Sequence, residues 1–80
     1  MKIHSVKMPE IGETVEKGNV NEWLVDIGDE VEKGEEILLV ESDKAITEVC
    51  ADVDGKLNSK LVKEGDEVRP GDPVAEIEIV

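Results

Sequence analysis

GNVNEWLVDIGDEVEKGEEILLVE, residues 18–41, returns 37 positions later as GKLNSKLVKEGDEVRPGDPVAEIE, residues 55–78. Ten of the 24 aligned positions are identical, among them Gly18/Gly55, Asn21/Asn58, Gly28/Gly65, Asp29/Asp66, Val31/Val68 and Gly34/Gly71. Val20/Leu57, Ile37/Val74 and Val40/Ile77 are conservative matches. One supersecondary unit therefore occurs twice. Each copy reads as a strand, then Gly-Asp-Glu-Val, two residues, a glycine and a second strand. Gly28 and Gly65 supply a positive φ at the first turn, Gly34 and Gly71 at the second. Asp29 and Asp66 are turn residues, because a short carboxylate bonds nearby backbone N–H groups. Pro70 and Pro73 argue against helix, and no window sustains a 3.6-residue apolar period. Short strands with closely spaced turn signals predict an all-β domain over residues 1–80. Its form is a flattened β-barrel or sandwich of two small antiparallel sheets, related by an internal pseudo-twofold axis.

Between the two copies lie the apolar runs Ile37-Leu38-Leu39-Val40 and Ile46-Thr47-Glu48-Val49-Cys50-Ala51, separated by Glu41-Ser42-Asp43-Lys44-Ala45. So short a polar interruption between two strands is a tight hairpin turn. Lys44 then projects from the tip with only small Ala45 after it, as a handle would. The 37-residue slide also carries Lys7 onto Lys44, which places Lys44 and the N-terminal strand at opposite ends. The C-terminal strand, Val74 to Val80, is expected beside the N-terminal one, with the hairpin pointing away from both.

Composition removes several classes of function. With 21 acidic residues against 9 basic ones the formal net charge is −12, so the surface gains nothing from a polyanion. Trp23 is the only aromatic residue and is expected in or beside the core; it offers no stacking platform for bases. No apolar run approaches the roughly 20 residues of a membrane span, and no secretory signal opens the chain. The sequence reads as soluble, intracellular and monomeric. Cys50 is the sole cysteine, so neither an intrachain disulfide nor a thiolate zinc site is expected. The only histidine, His4, lies far from Cys50 in sequence, and both read as ordinary strand or surface residues. The acid pairs Asp29-Glu30 and Asp66-Glu67 could pass for acid/base or calcium groups, but their repetition at equivalent turns favours turn chemistry. No metal site and no catalytic residue is assigned. A Schiff-base role for Lys44 fits badly, because Glu41 and Asp43 favour the charged amine. Lys2, Lys17, Lys33, Lys56, Lys60 and Lys63 read as solvated charges.

A duplicated β-domain with Glu41-Ser42-Asp43-Lys44-Ala45 at a hairpin resembles the lipoyl domains of 2-oxo acid dehydrogenase complexes. The resemblance extends through Met8-Pro9-Glu10-Ile11-Gly12-Glu13, Trp23 to Val31 with Gly34, Asp43-Lys44-Ala45, and Gly65 to Val68 with Gly71. It implies lipoic acid in amide linkage on Lys44, added by a lipoate-protein ligase or lipoyltransferase. It also implies that Glu41, Ser42, Asp43 and Ala45 are read by that ligase and by the decarboxylase (E1). Glu10, Ile11, Gly12, Glu13 and Thr14, in the loop between the first two strands, help choose that partner. The domain itself catalyses nothing. It carries acyl groups and reducing equivalents between the decarboxylase, the acyltransferase core (E2) and dihydrolipoamide dehydrogenase (E3), in the bacterial cytoplasm or the mitochondrial matrix. Cys50-Ala51-Asp52 departs from the small residue and proline common at that point in the family. The biotinyl carriers share the fold but flank their lysine with methionines, where this chain has Asp43 and Ala45. The adaptor modules of membrane-fusion proteins lack the lysine and carry a long helical hairpin.

Overall fold

The computed structural model describes residues 2–9, 17–43 and 45–79. They form eight strands and, among the described residues, no helix. The strands are β1 (Lys2–Lys7), β2 (Gly18–Trp23), β3 (Glu30–Val31), β4 (Glu36–Glu41), β5 (Ile46–Cys50), β6 (Gly55–Lys60), β7 (Glu67–Val68) and β8 (Pro73–Ile79). Two four-stranded sheets result, in the orders β1-β8-β6-β3 and β5-β4-β2-β7, with every paired strand antiparallel. This is the all-β architecture expected from the repeat. Each copy of the repeat, however, contributes to both sheets. The first copy places β2 and β4 in one sheet and β3 in the other, and the second does the reverse with β6, β8 and β7. The halves are interlocked by exchange of their shortest strands.

Register follows the duplication residue by residue. Val20 lies opposite Val40 as Leu57 lies opposite Ile77, and Trp23 opposite Leu38 as Lys60 opposite Ala75. Both ladders slip at equivalent points, between Val20 and Glu22 and between Leu57 and Ser59. Asn21 and Asn58 are thus the extra residues of two matched bulges. The edge strands obey a different offset. Lys7 faces Pro73 as Cys50 faces Glu36, and Val6 faces Ala75 as Val49 faces Leu38. β1 is therefore the counterpart of β5 at a spacing of 43 residues, and Lys7 corresponds to Cys50. The 37-residue slide that set Lys7 on Lys44 fails here because β1 and β5 lie outside the repeated segment.

The core is the space between the sheets. Val20, Leu38, Val40 and Val49 from one sheet meet Val6, Leu57, Ala75 and Ile77 from the other, all at most 3% exposed. Ile37 and Leu38 are adjacent in sequence yet both fully buried. The register shift between Glu36 and Leu38 lets successive side chains point inward there, breaking the usual alternation. At the turns, Gly28 and Gly65 have φ of 96° and 94°, and Gly34 and Gly71 share the same left-handed region. Asp29 and Asp66 close these turns as expected: each Oδ2 accepts a hydrogen bond at 2.9 Å, from the N–H of Asp26 and of Lys63 respectively.

Trp23 and Lys60 are equivalent positions and also touch. Lys60 Nζ stands 5.2 Å from the centre of the Trp23 ring, so the pseudo-dyad passes between them. The counterpart of the β4–β5 turn is the pair of strand ends Lys2 and Ile79, which lie opposite each other. Equivalent features lie on opposite sides of a dyad. Trp23, beside the dyad, stands opposite Leu38, three residues short of Glu41, and Lys60 stands opposite Ala75, three residues short of Glu78. The hairpin and the ends of β1 and β8 therefore lie away from the dyad, at opposite poles of a molecule 37 × 20 × 17 Å in extent.

Candidate functional site

β4 and β5 are held together from Glu36 opposite Cys50 to Glu41 opposite Ile46, leaving residues 42–45 as the turn. Ser42 closes it. Its N–H donates to Ala45 O at 2.9 Å, its hydroxyl donates to the same oxygen at 3.0 Å, and the Ala45 N–H reaches Ser42 Oγ at 3.3 Å. A serine at the first position of a turn commonly makes such bonds to the backbone a few residues on. Asp43 and Ala45 are exposed, Ser42 is half-buried, and Ile46 is 52% exposed. Glu41, also exposed, is flanked by Ile46 on β5 and Asn19 on β2. Lys44 lies outside the described residues, as do Glu10, Ile11, Gly12, Glu13 and Thr14. The structure thus brings Glu41, Ser42, Asp43 and Ala45 together at one pole. It places Gly28, Asp29, Gly34, Gly65, Asp66 and Gly71 in the turns of the scaffold.

On the same sheet Lys17 Nζ contacts Glu67 Oε1 at 2.8 Å. That hydrogen bond, and then the charge behind it, holds the Glu67 carboxyl below the usual carboxylate value, with a smaller contribution from Arg69. Cys50 is exposed on β5, and His4 on β1 bonds through Nε2 to Asp52 Oδ2 at 2.9 Å. Among the described residues, no group of three or more His, Cys, Asp or Glu side chains is placed to hold a metal.

One lysine read as a solvated charge is not one. The Lys60 side chain is only 26% exposed, packed over Trp23 with its ammonium 3.5 Å from Asp26 Oδ1. Trp23 is half-buried, and its Nε1–H donates to Val62 O at 3.0 Å. The repeat alignment sets Lys60 against Trp23, but equivalent residues meet only where they lie beside the dyad, and that position is given by the fold and not by the alignment.

The biotin–lipoyl family model, described as "Biotin-requiring enzyme", matches residues 4–77. The chain is 43% identical over 70 residues to the dihydrolipoyllysine-residue succinyltransferase component of the 2-oxoglutarate dehydrogenase complex of Staphylococcus saprophyticus, spanning 88% of this chain and 16% of that one. It is 44% identical over 73 residues to the dihydrolipoyllysine-residue acetyltransferase component of the pyruvate dehydrogenase complex of Mycoplasma capricolum, spanning 91% and 17%. The chain thus spans about one sixth of the length of these relatives. Among solved structures, the lipoyl domain of the Azotobacter vinelandii 2-oxoglutarate dehydrogenase complex superposes with a TM-score of 0.69 at 27% identity, covering 94% of this chain and 98% of that one. The urea carboxylase of Kluyveromyces lactis superposes with a TM-score of 0.80 at 28% identity, covering 98% and 6%.

Proposed function

Because the chain belongs to the biotin–lipoyl attachment family, we propose that it is the lipoyl carrier domain of a 2-oxo acid dehydrogenase complex, with lipoate in amide linkage on Lys44. The observation that carries this reading is the closure of the β4–β5 connection by Ser42 and Ala45, at the pole opposite Lys2 and Ile79. Lipoate, once attached, supplies a cyclic disulfide able to take up an acyl group and two electrons. The protein's own contribution is mechanical and electrostatic. Rigid β4 and β5 fix the root of the arm, Ser42 holds the turn closed, and exposed Asp43 and Ala45 leave room for a ligase to reach the lysine. Tethering keeps the cargo at high effective concentration near each enzyme it serves. In this reading those enzymes are a decarboxylase, the acyltransferase core and dihydrolipoamide dehydrogenase. A net charge of −12 favours a monomer through self-repulsion. The location follows that of the complex, in the bacterial cytoplasm or the mitochondrial matrix.

The description of the matching family, "Biotin-requiring enzyme", supports a second reading, a biotinyl carrier. The residues around Lys44 distinguish them: Asp43 and Ala45 stand where biotinyl carriers have methionines. Co-expression with a lipoate ligase and lipoate, and separately with a biotin ligase and biotin, decides between the two by intact mass. The expected result is one lipoyl group mapped to Lys44. Biotin instead, or lipoate on another lysine, overturns the assignment.

A further inference from the structure

The two sheets are halves of one duplicated scaffold, so each serves as a control for the other. Whatever the fold requires of an outer sheet face should appear on both. In the rows next to the poles, Ile46 and Glu41 on the hairpin sheet match Ile3 and Glu78, while Asn19 stands where the other sheet has Lys56. The next rows differ. The hairpin sheet presents Glu48, Leu39 and Glu22 side by side, where the other presents Ser5, Glu76 and Ser59.

The surroundings differ in the same sense. On the other sheet, Glu76 Oε1 accepts a hydrogen bond from Ser59 Oγ at 2.6 Å, and Lys56 stands in register with both Glu78 and Glu30, though it forms an ion pair with neither among the described residues. On the hairpin sheet, Glu22, Glu41 and Glu48 pair with no cation among the described residues. Between them lie Leu39, half-buried on the outer face, and Ile46, 52% exposed. The equivalent surface has Glu76 in place of Leu39 and a lysine in register with its glutamates, so an apolar strip bordered by three glutamates with no lysine in register is not a requirement of the fold.

We propose that this face, Ile46 and Leu39 bordered by Glu22, Glu41 and Glu48, is the docking surface for the enzyme that acylates the arm. The partner it fits presents an apolar contact ringed by lysine or arginine. Charge complementarity of this kind speeds encounter and fixes orientation. The strip begins at the hairpin itself, so a partner seated on it receives an arm rooted at the turn. The inference rests on the carrier reading. Lipoate loading is therefore verified by mass before any rate is compared, which keeps failure of that reading separate.

The duplication also supplies the test. Exchanging equivalents in a Glu48→Ser/Ser5→Glu double variant moves one carboxylate between faces at constant net charge. Reductive acylation is followed with whichever of a bacterial pyruvate or 2-oxoglutarate decarboxylase component acylates the unaltered lipoylated domain. The exchange should lower kcat/KM three- to tenfold and flatten its dependence on ionic strength. Glu48→Gln and Ile46→Ser should each lower kcat/KM in the same assay, while Ser5→Lys stays within twofold of the parent. Melting followed by Trp23 emission confirms that each variant is folded. An unchanged kcat/KM in the exchange variant, or an equal loss in Ser5→Lys, would overturn the proposal.

Discussion

Gly55 is the position where adding a single methyl group should hurt most. A Cβ built there meets Glu78 O at 2.3 Å and Ile77 Cγ2 at 2.6 Å, the first belonging to the backbone of the neighbouring strand. Carbon and carbonyl oxygen normally approach to about 3.3 Å, so β6 and β8 must separate by roughly 1 Å. Overpacking of this kind costs about 1–3 kcal/mol, and loss of an adjoining ladder bond adds about 1 kcal/mol. The neighbouring pair Lys56 and Glu78 is the one exposed to that loss. Gly28→Ala is the contrasting case: the new Cβ has open space, and only the φ of 96° opposes it. That backbone strain costs about 1–2 kcal/mol, partly offset by a stiffer unfolded chain. At about 4–8 °C per kcal/mol, Gly55→Ala should lower Tm by about 10–25 °C and Gly28→Ala by less than half as much. Urea and thermal unfolding followed by the single tryptophan measure both. A reversed order, or a Gly55→Ala protein melting within about 3 °C of the parent, would refute the close-approach argument.

Further tests follow from the same structure. Lys44→Arg should fold normally and take up no lipoate under co-expression with a ligase; an unfolded variant would make the lysine structural. Trp23→Phe deletes the indole bond to Val62 O and should destabilise by about 1 kcal/mol in urea unfolding. Removing the cation over the ring with Lys60→Met should shift the tryptophan emission, whereas Lys63→Met should not. Glu67 titrates below 4.5 in the folded protein, so its contribution is present above that value and fades as pH falls through the lowered one. NMR titration of Lys17→Gln should return Glu67 towards 4.5, and the shift seen in the parent should shrink in about 1 M salt.

The parts of the fold legible beforehand are those governed by local chemistry. The Gly-Asp-Glu-Val turns, the positive φ at Gly28 and Gly65, and the hairpin between Val40 and Ile46 each follow from a few adjacent residues. What stayed hidden depends on how the sheets wrap. Nothing within Glu30-Val31 announces that this pair crosses to the opposite sheet. The kinship of β1 and β5 shows in pairing and burial, while in sequence it amounts to only two identities, Ile3/Ile46 and Val6/Val49, in so short a stretch. Gly55 reads as one more repeated glycine until Glu78 is placed against it. At the site, Ser42 was legible as a turn residue. The importance of Leu39 was not, because an apolar residue in Ile37-Leu38-Leu39-Val40 looks like core until the bulge turns it outward.

The pairing of Lys2 with Ile79 has a mechanical corollary. A pull applied through the two chain ends enters at one point and opens the β1–β8 ladder like a zipper, rung after rung, instead of loading all its rungs together. Such geometry yields at low force. The far pole, with its turn at residues 42–45, stays unstrained until the first strand has been stripped away.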